Sequence, residues 1–307
     1  MSLNVCYELA VRIRRRQAAQ GGATGMRHSD PGDYWQWQFD SSAAYFAKCF
    51  DLMAQLPGKT ILDIGCGLGG RTGYIARAGA RRVVGVDINQ EEIGSAQRLA
   101  AAHLDADSRA RLQFIAVREQ DPLRSGPYDI VLLIDSLEHV KDPVAMLDLA
   151  YSMLRPGGVC YFTTVGWYNH MASHLTGIIP IPFATVFFSD QQILDAVRRI
   201  VDDPSYQPTM WDSDPPSARW KGIDNLSDRP GEYLNKITLH GLRRAMRRSR
   251  FQGGQLRAAG FTFKRLWPLQ VFNVLAKVPL IQEMYHSGCF GRLVKSLTNE
   301  IGPGENI

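Results

Sequence analysis

The sequence predicts an α/β fold, a doubly wound, Rossmann-like sheet with helices on both faces. Three observations point to it. Between Thr60 and Val165, short β-rich apolar runs alternate with helical stretches, as a doubly wound sheet requires. A glycine-rich loop, Gly65-Cys66-Gly67-Leu68-Gly69-Gly70, follows the first run and precedes a helix. The 307 residues exceed the ~150 of one typical domain and leave room for additions to such a core.

Taken in order, residues 1–50 form an appended N-terminal helical segment: an amphipathic stretch, a break at Gly21, Gly22 and Gly25, then the aromatic run Tyr34, Trp35, Trp37, Phe39. Residues 51–166 form the ligand-binding core. Its strands are expected at Thr60–Ile64, Val83–Val86, Leu112–Ala116, Ile130–Ile134 and Val159–Val165. Asn89, with Glu92 three residues on, opens a helix running to about His103. Asp142-Pro143 opens another, and Arg155-Pro156-Gly157-Gly158 turns it back into the fifth strand. Residues 167–235 break the rhythm and read as an inserted, substrate-binding lid. Within it, Ser189 and Gln192 form a capping box for a helix that carries Ile193, Leu194, Val197, Ile200 and Val201 on one face. Residues 236–307 complete the sheet, with a helix capped by Thr238, a sixth strand at Ala259-Gly260-Phe261 and a last one near Cys289–Leu297.

Composition narrows the function classes. With 45% apolar and 21% charged residues the chain is globular, which excludes wholesale disorder. The longest nearly unbroken apolar stretch, Gly177 to Phe188, contains two prolines and is short of the ~20 residues of a membrane span. The N-terminal apolar residues precede Arg14-Arg15-Arg16, the reverse of a secretory signal, so a cytoplasmic location is expected. Five scattered cysteines without a C-x-x-C pair indicate neither a disulfide framework nor a zinc cluster. The net charge of +5 is only mildly basic, but it is clustered at Arg12–Arg16 and Arg243–Arg250. These runs read as solvated helix faces or as contacts to an anionic membrane surface.

The glycine loop is the strongest local signal. It lets backbone N–H groups and a helix N-terminus approach a ligand, and Gly65, Gly67 and Gly70 also satisfy the G-x-G-x-x-G of a dinucleotide site. Asp63 separates the two readings. A carboxylate just before the loop suits an amine-bearing ligand and would repel a pyrophosphate. Asp87, 22 residues beyond Gly65, suits the two ribose hydroxyls in either case.

The segment 57–166 resembles the class I S-adenosylmethionine-dependent methyltransferases in four ordered motifs. These are Asp63-Ile64-Gly65-Cys66-Gly67-Leu68-Gly69, Val86-Asp87, Asp135-Ser136-Leu137-Glu138-His139-Val140 and Leu154-Arg155-Pro156-Gly157-Gly158. The resemblance implies S-adenosylmethionine as cofactor and S-adenosylhomocysteine as product. It implies that the Gly65, Gly67 and Gly69 loop contacts the methionine part, with Asp63 near its amine, Asp87 on the ribose and Ile88 against the adenine. Either Glu119 or Asp121 would meet the adenine amino group, Asp121 being preferred. Asp135 is grouped with the cofactor residues, and Tyr34 and Trp37 would close over the cofactor from the N-terminal segment.

Methyl transfer is an in-line displacement, and an oxygen acceptor must lose a proton, which a histidine can take near neutral pH. The candidate bases are His139 after strand four, and His170 and His174 at the start of the insertion. Trp167, Tyr168, Phe183 and Phe187 could line a ring-accepting pocket or form the lid's own core. Asp135, Glu138 and His139 also resemble a metal-binding group of some quinone-precursor methyltransferases, but Asp stands where Glu is expected and no metal is called for. The expected function is O-methylation of a small molecule, such as a secondary metabolite, sugar or lipid-linked intermediate. The alternatives are N- or C-methylation, a nicotinamide-dependent oxidoreductase, and a non-catalytic nucleotide-binding module. Nucleic acid is not an expected partner, since no N/D-P-P-Y/F follows strand four.

Overall fold

A computed structural model of the chain describes residues 4–19, 30–117, 126–170, 175–204, 206, 235–260, 274 and 277–297. Seven strands form one sheet in the order β3-β2-β1-β4-β5-β7-β6. They are β1 Thr60–Ile64, β2 Arg82–Asp87, β3 Leu112–Ala116, β4 Tyr128–Ile134, β5 Leu154–Thr164, β6 Gln255–Ala259 and β7 Gly288–Val294. The first five run parallel, and β7 lies antiparallel between β5 and β6. The helices among the described residues are α1 Val5–Ala19, α2 Pro31–Phe46, α3 Leu52–Gln55, α4 Gly70–Arg77, α5 Gln90–His103, α6 Ala106–Ala110, α7 Pro143–Met153, α8 Ala184–Phe187, α9 Asp190–Val201, α10 Leu239–Arg248 and α11 Pro279–Gln282. None is long and apolar enough to cross a membrane.

The central strands β1 and β4 are buried at every position, as parallel strands covered on both faces must be. Alternation divides their side chains between two cores. Leu62, Val84, Val131 and Leu133 pack with Leu147 and Ala150 of α7 and with Leu239, Leu242 and Met246 of α10. Ile61, Val83, Ile130 and Leu132 pack with Phe46, Leu52, Ile75 and Ala76 from α2, α3 and α4. The chain winds outward from β1 to β3 and then crosses to β4. The carboxyl ends of β1 and β4 therefore meet at a topological switch point, where open α/β sheets take their ligands.

Local chemistry accounts for the helix starts. Asn89 and Asp142 accept the first backbone N–H groups of α5 and α7, and Ser189 with Gln192 makes the expected capping box of α9. Strand boundaries differ from expectation at β2, which spans Arg82–Asp87, at β4, which begins at Tyr128, and at β5, β6 and β7. The fifth strand begins at Leu154, so the Arg155-Pro156-Gly157-Gly158 run lies inside it rather than in a turn. The irregularity is absorbed there: Gly157 takes a φ of 74° and donates its N–H to Lys295 O, which keeps that end of the strand paired. The sixth strand ends at Ala259, ahead of the expected Gly260-Phe261, and the seventh ends at Val294 rather than Leu297.

The N-terminal segment divides in two. α2 packs on the core, whereas Cys6 and Ala10 of α1 share a separate core with Trp167, Ile178, Ile179, Ile193 and Val197 of the insertion. Polar contacts reinforce that pairing. Asn4 Nδ2 donates to Gln192 O (2.9 Å) and Asp195 Oδ2 (2.7 Å), and Arg14 donates to Gly177 O at 3.2 Å.

Candidate active site

The glycine loop leaves β1 at the switch point. Gly65, Gly67 and Gly69 have φ of 79°, 52° and 78°, a left-handed backbone that other residues rarely adopt. At Gly65 the space is closed as well, since a Cβ would lie 2.6 Å from Ser136 Oγ. The N–H groups of Gly65 and Cys66 bond to Val86 O (2.8 and 3.1 Å), fastening the loop to the end of β2. Asp87 completes the fastening. Its Oδ2 accepts from Gly67 N–H and its Oδ1 from Asn89 N–H, both at 2.9 Å. Ile88, the next residue, is 71% exposed at the rim.

Asp63 is only 3% exposed and accepts a hydrogen bond from Thr72 at 2.7 Å. Burial pushes its carboxyl up to about 6, against the opposing pull of the Thr72 bond and of Arg71. Asp63, expected near the cofactor's amine, is thus a buried group that ties β1 to the first turn of α4.

What lies beside the loop was not expected from the sequence. Arg71, in the first turn of α4, has its guanidinium 4.0 Å from the centre of the Tyr45 ring and 5.7 Å from that of Trp37. Its Nη1 is buried with no hydrogen-bond partner. Gln38 Oε1 is buried and equally without a partner, while Gln38 Nε2 donates to Tyr34 OH at 3.1 Å. A Cβ on Gly70 would come 3.1 Å from that Gln38 oxygen, so the amide sits against the start of α4. Tyr34 and Trp37, expected here, stack with ring centres 5.5 Å apart. A signal for Gln38 and Tyr45 existed: Tyr34, Gln38, Ser41 and Tyr45 recur at the spacing of one helical face.

At the end of β4, Asp135 has a φ of 51°, uncommon outside glycine. Its carboxylate accepts from Tyr45 OH at 2.9 Å and from Thr163 Oγ1 at 2.8 Å. Burial and the Asp135 charge raise the Tyr45 hydroxyl well above its ordinary value, so it remains a donor. Glu138 is buried, with Thr164 Oγ1 donating to it at 2.7 Å. Among the described residues no group of three His, Cys, Asp or Glu side chains is arranged to hold a metal. Asp135 accepts from Tyr45 of α2 and Thr163 of β5, and Glu138 from Thr164 of β5. His139 ends the short turn Leu137–His139, its N–H bonded to Ser136 O at 3.1 Å.

The insertion residues are dispersed. Trp167 is buried in the core shared with α1, whereas Tyr168 is exposed and Phe187 is 69% exposed. Phe183 packs its ring 6.1 Å from that of His170, whose pKa burial lowers. His286 was not expected. It is fully buried, bonded through its carbonyl to Asn169, and pushed down to about 4 by burial and by neighbouring His170. His174, Glu119 and Asp121 lie outside the described residues.

Residues 34–252 match the family profile of a methyltransferase domain. Among curated relatives, the ubiquinone biosynthesis O-methyltransferase of Psychrobacter cryohalolentis is 38% identical over 124 residues, covering 40% of this chain and 47% of that protein. The enzyme of the same name from Hydrogenovibrio crunogenus is 30% identical over 170 residues, covering 55% and 63%. The chain thus spans about half the length of the curated relatives it matches. A solved structure of magnesium protoporphyrin IX methyltransferase from Synechocystis, with bound S-adenosylhomocysteine, superposes with a TM-score of 0.45 at 18% identity, covering 94% of this chain and 97% of that one.

Proposed function

Since the chain belongs to the methyltransferase-domain family, we propose that it transfers the methyl group of S-adenosylmethionine to a hydroxyl oxygen of a small molecule, releasing S-adenosylhomocysteine. The observation that carries this reading is the pair of orphaned groups at the glycine loop. Arg71 Nη1 is a buried donor without an acceptor and Gln38 Oε1 a buried acceptor without a donor. A buried polar atom left unpaired costs on the order of 1–3 kcal/mol, and the α-amino carboxylate of a methionyl group supplies the complement of both.

The rest of the cradle fits the same ligand. Gly65 and Gly67 leave the backbone bare at their own positions, and Asp87 retains lone pairs for ribose hydroxyls after accepting two backbone N–H groups. Ile88 offers exposed apolar surface to the adenine, with Asp121 proposed for its amino group. Asp63 acts at one remove, by holding α4 and with it Arg71. When bound, S-adenosylmethionine supplies an electrophilic methyl carbon on a sulfonium.

The chain itself must orient the acceptor and take its proton. We assign the proton to His139, because Ser136, whose carbonyl anchors the His139 N–H, packs against Gly65. His170, held neutral by burial, is the alternative base in the insertion, with His174 beside it in sequence. Tyr168 and Phe187 offer exposed rings for the acceptor, while Trp167 is buried in the core shared with α1 and Phe183 packs against His170. The activity for which the relatives are named, O-methylation in ubiquinone biosynthesis, favours a hydroxyl over an amine or carbon acceptor.

Incubation with S-adenosylmethionine and a matched panel of catechols, phenols and amines, read by mass spectrometry, tests the reading. Methylated hydroxyl products are expected, and His139→Gln should slow turnover by about 10²–10⁴ without altering cofactor affinity. Methylation of amines alone would overturn the oxygen assignment. The exposed Arg244, Arg247 and Arg248 of α10 favour contact with an anionic membrane surface, where a lipid-linked acceptor would be presented. Co-sedimentation with anionic but not neutral vesicles checks that contact.

A further inference from the structure

At the amino edge of the sheet, the end opposite the glycine loop, lies a cleft of about 720 Å³ lined by Thr60, Arg81, Arg82, Arg111, Leu112 and Gln113. Strands of five residues separate the two edges by roughly 16 Å. Backbone pairing brings the cations together. Thr60 stands opposite Arg82 in the β1–β2 register, Val83 stands opposite Leu112, and Val83 N–H donates to Arg111 O at 2.7 Å. The residues that begin β2 and lead into β3 are therefore neighbours whatever side chains they carry.

The acceptors of this cleft are already engaged. Arg81 donates to Thr60 Oγ1 at 2.8 Å and Arg82 to Gln113 Oε1 at 3.4 Å. Asp129 receives Thr60 N–H on one oxygen (2.6 Å) and Arg155 on the other (2.7 Å), and Asp107 is paired with Arg111 at 2.6 Å. Arg81 and Arg82 have no carboxylate partner among the described residues. The lining still offers donors: the remaining guanidinium N–H groups, the Gln113 NH₂ and the Thr60 hydroxyl. Arg81 and Arg82 are both exposed, and each spends one N–H on a neutral oxygen, which leaves the others for an anion.

We propose that this cleft is a second binding site, for a phosphorylated small molecule, with the Arg81 and Arg82 guanidinium groups on its phosphate oxygens. Arginine's planar fork matches phosphate oxygens in pairs, and the cleft volume is that of a small-molecule site rather than of a single ion. Leu112 gives the unphosphorylated part an apolar contact. The assignment stands independently of the cofactor reading.

Calorimetric titration of the full chain with inorganic pyrophosphate tests it, using wild type, Arg81→Gln/Arg82→Gln and Arg82→Gln. The single variant keeps the Arg81–Thr60 bond, and thermal melts of all three show that they remain folded. Pyrophosphate should bind wild type, at least about tenfold more weakly in the double variant and measurably more weakly in the single one. S-adenosylmethionine affinity should be the same in all three proteins and unaffected by saturating pyrophosphate. Absence of pyrophosphate binding, binding undiminished in both variants, or displacement of pyrophosphate by S-adenosylmethionine would each overturn the proposal.

Discussion

A buried guanidinium N–H without an acceptor, as at Arg71 Nη1, destabilises the fold that holds it, so Arg71 reports on ligand binding more sharply than any loop glycine. Arg71→Met removes the orphaned Nη1 together with the guanidinium's stacking on the Tyr45 ring. S-adenosylmethionine affinity should then fall about 10- to 100-fold, while the melting temperature of the ligand-free protein holds or rises. The opposite pattern, unchanged affinity with lost stability, would make Arg71 a packing residue. Asp63 makes a pH prediction. Its carboxyl is pushed up to about 6, above the ordinary ~3.9 of an aspartate, so its contribution to stability is complete below ~4 and is lost as pH rises through 6. Asp63→Asn should abolish that loss, worth on the order of 3 kcal/mol, in melts compared between pH 4 and 7.5. His286 contributes with the opposite sign, since its depressed pKa favours the folded state as pH rises through 4 to 6.5, so the Asp63 effect is read as a difference between variant and wild type.

Among the elements, the contact of α2 with α4 positions both orphaned groups. It depends on a close approach, because a Cβ on Gly70 would stand 2.4 Å from Trp35 O and 2.7 Å from Gln38 Cβ. Gly70→Ala should cost about 1–3 kcal/mol in chemical denaturation and weaken cofactor binding together with stability. How far such features were legible in the sequence follows from their physics. β1, β3 and the caps of α5, α7, α9 and α10 are written in local residue chemistry, and each stands where its apolar run and capping side chain put it. β6 was displaced because Gln255-Leu256-Arg257 has little β character of its own and is ordered by pairing with β7. The loop and Asp87 were legible as a motif. The buried state of Asp63 and the orphaned atoms of Arg71 and Gln38 were not, because they arise only when α2 closes over α4.

Across the whole molecule, two bodies of core meet at the carboxyl edge of the sheet. One is the sheet with its helices; the other is the insertion, to which α1 supplies a wall. The stripe of α1 could have served any apolar partner, which is why the sequence grouped it with α2. Asn4, buried and donating to both Gln192 and Asp195, fixes the choice. Asn4→Ala should cost about 1–3 kcal/mol and raise the KM for the acceptor while leaving cofactor affinity unchanged, since among the described residues α1 packs into the core of the insertion. The claim on which the functional reading rests is that the loop, Asp87 and the Arg71–Gln38 pair together hold S-adenosylmethionine. Calorimetric titration of S-adenosylmethionine into wild type, Asp87→Ala and Arg71→Met tests it most directly. Micromolar binding to wild type that both variants weaken at least about tenfold is the expected result. Absence of binding to wild type, or binding that neither variant changes, would contradict it.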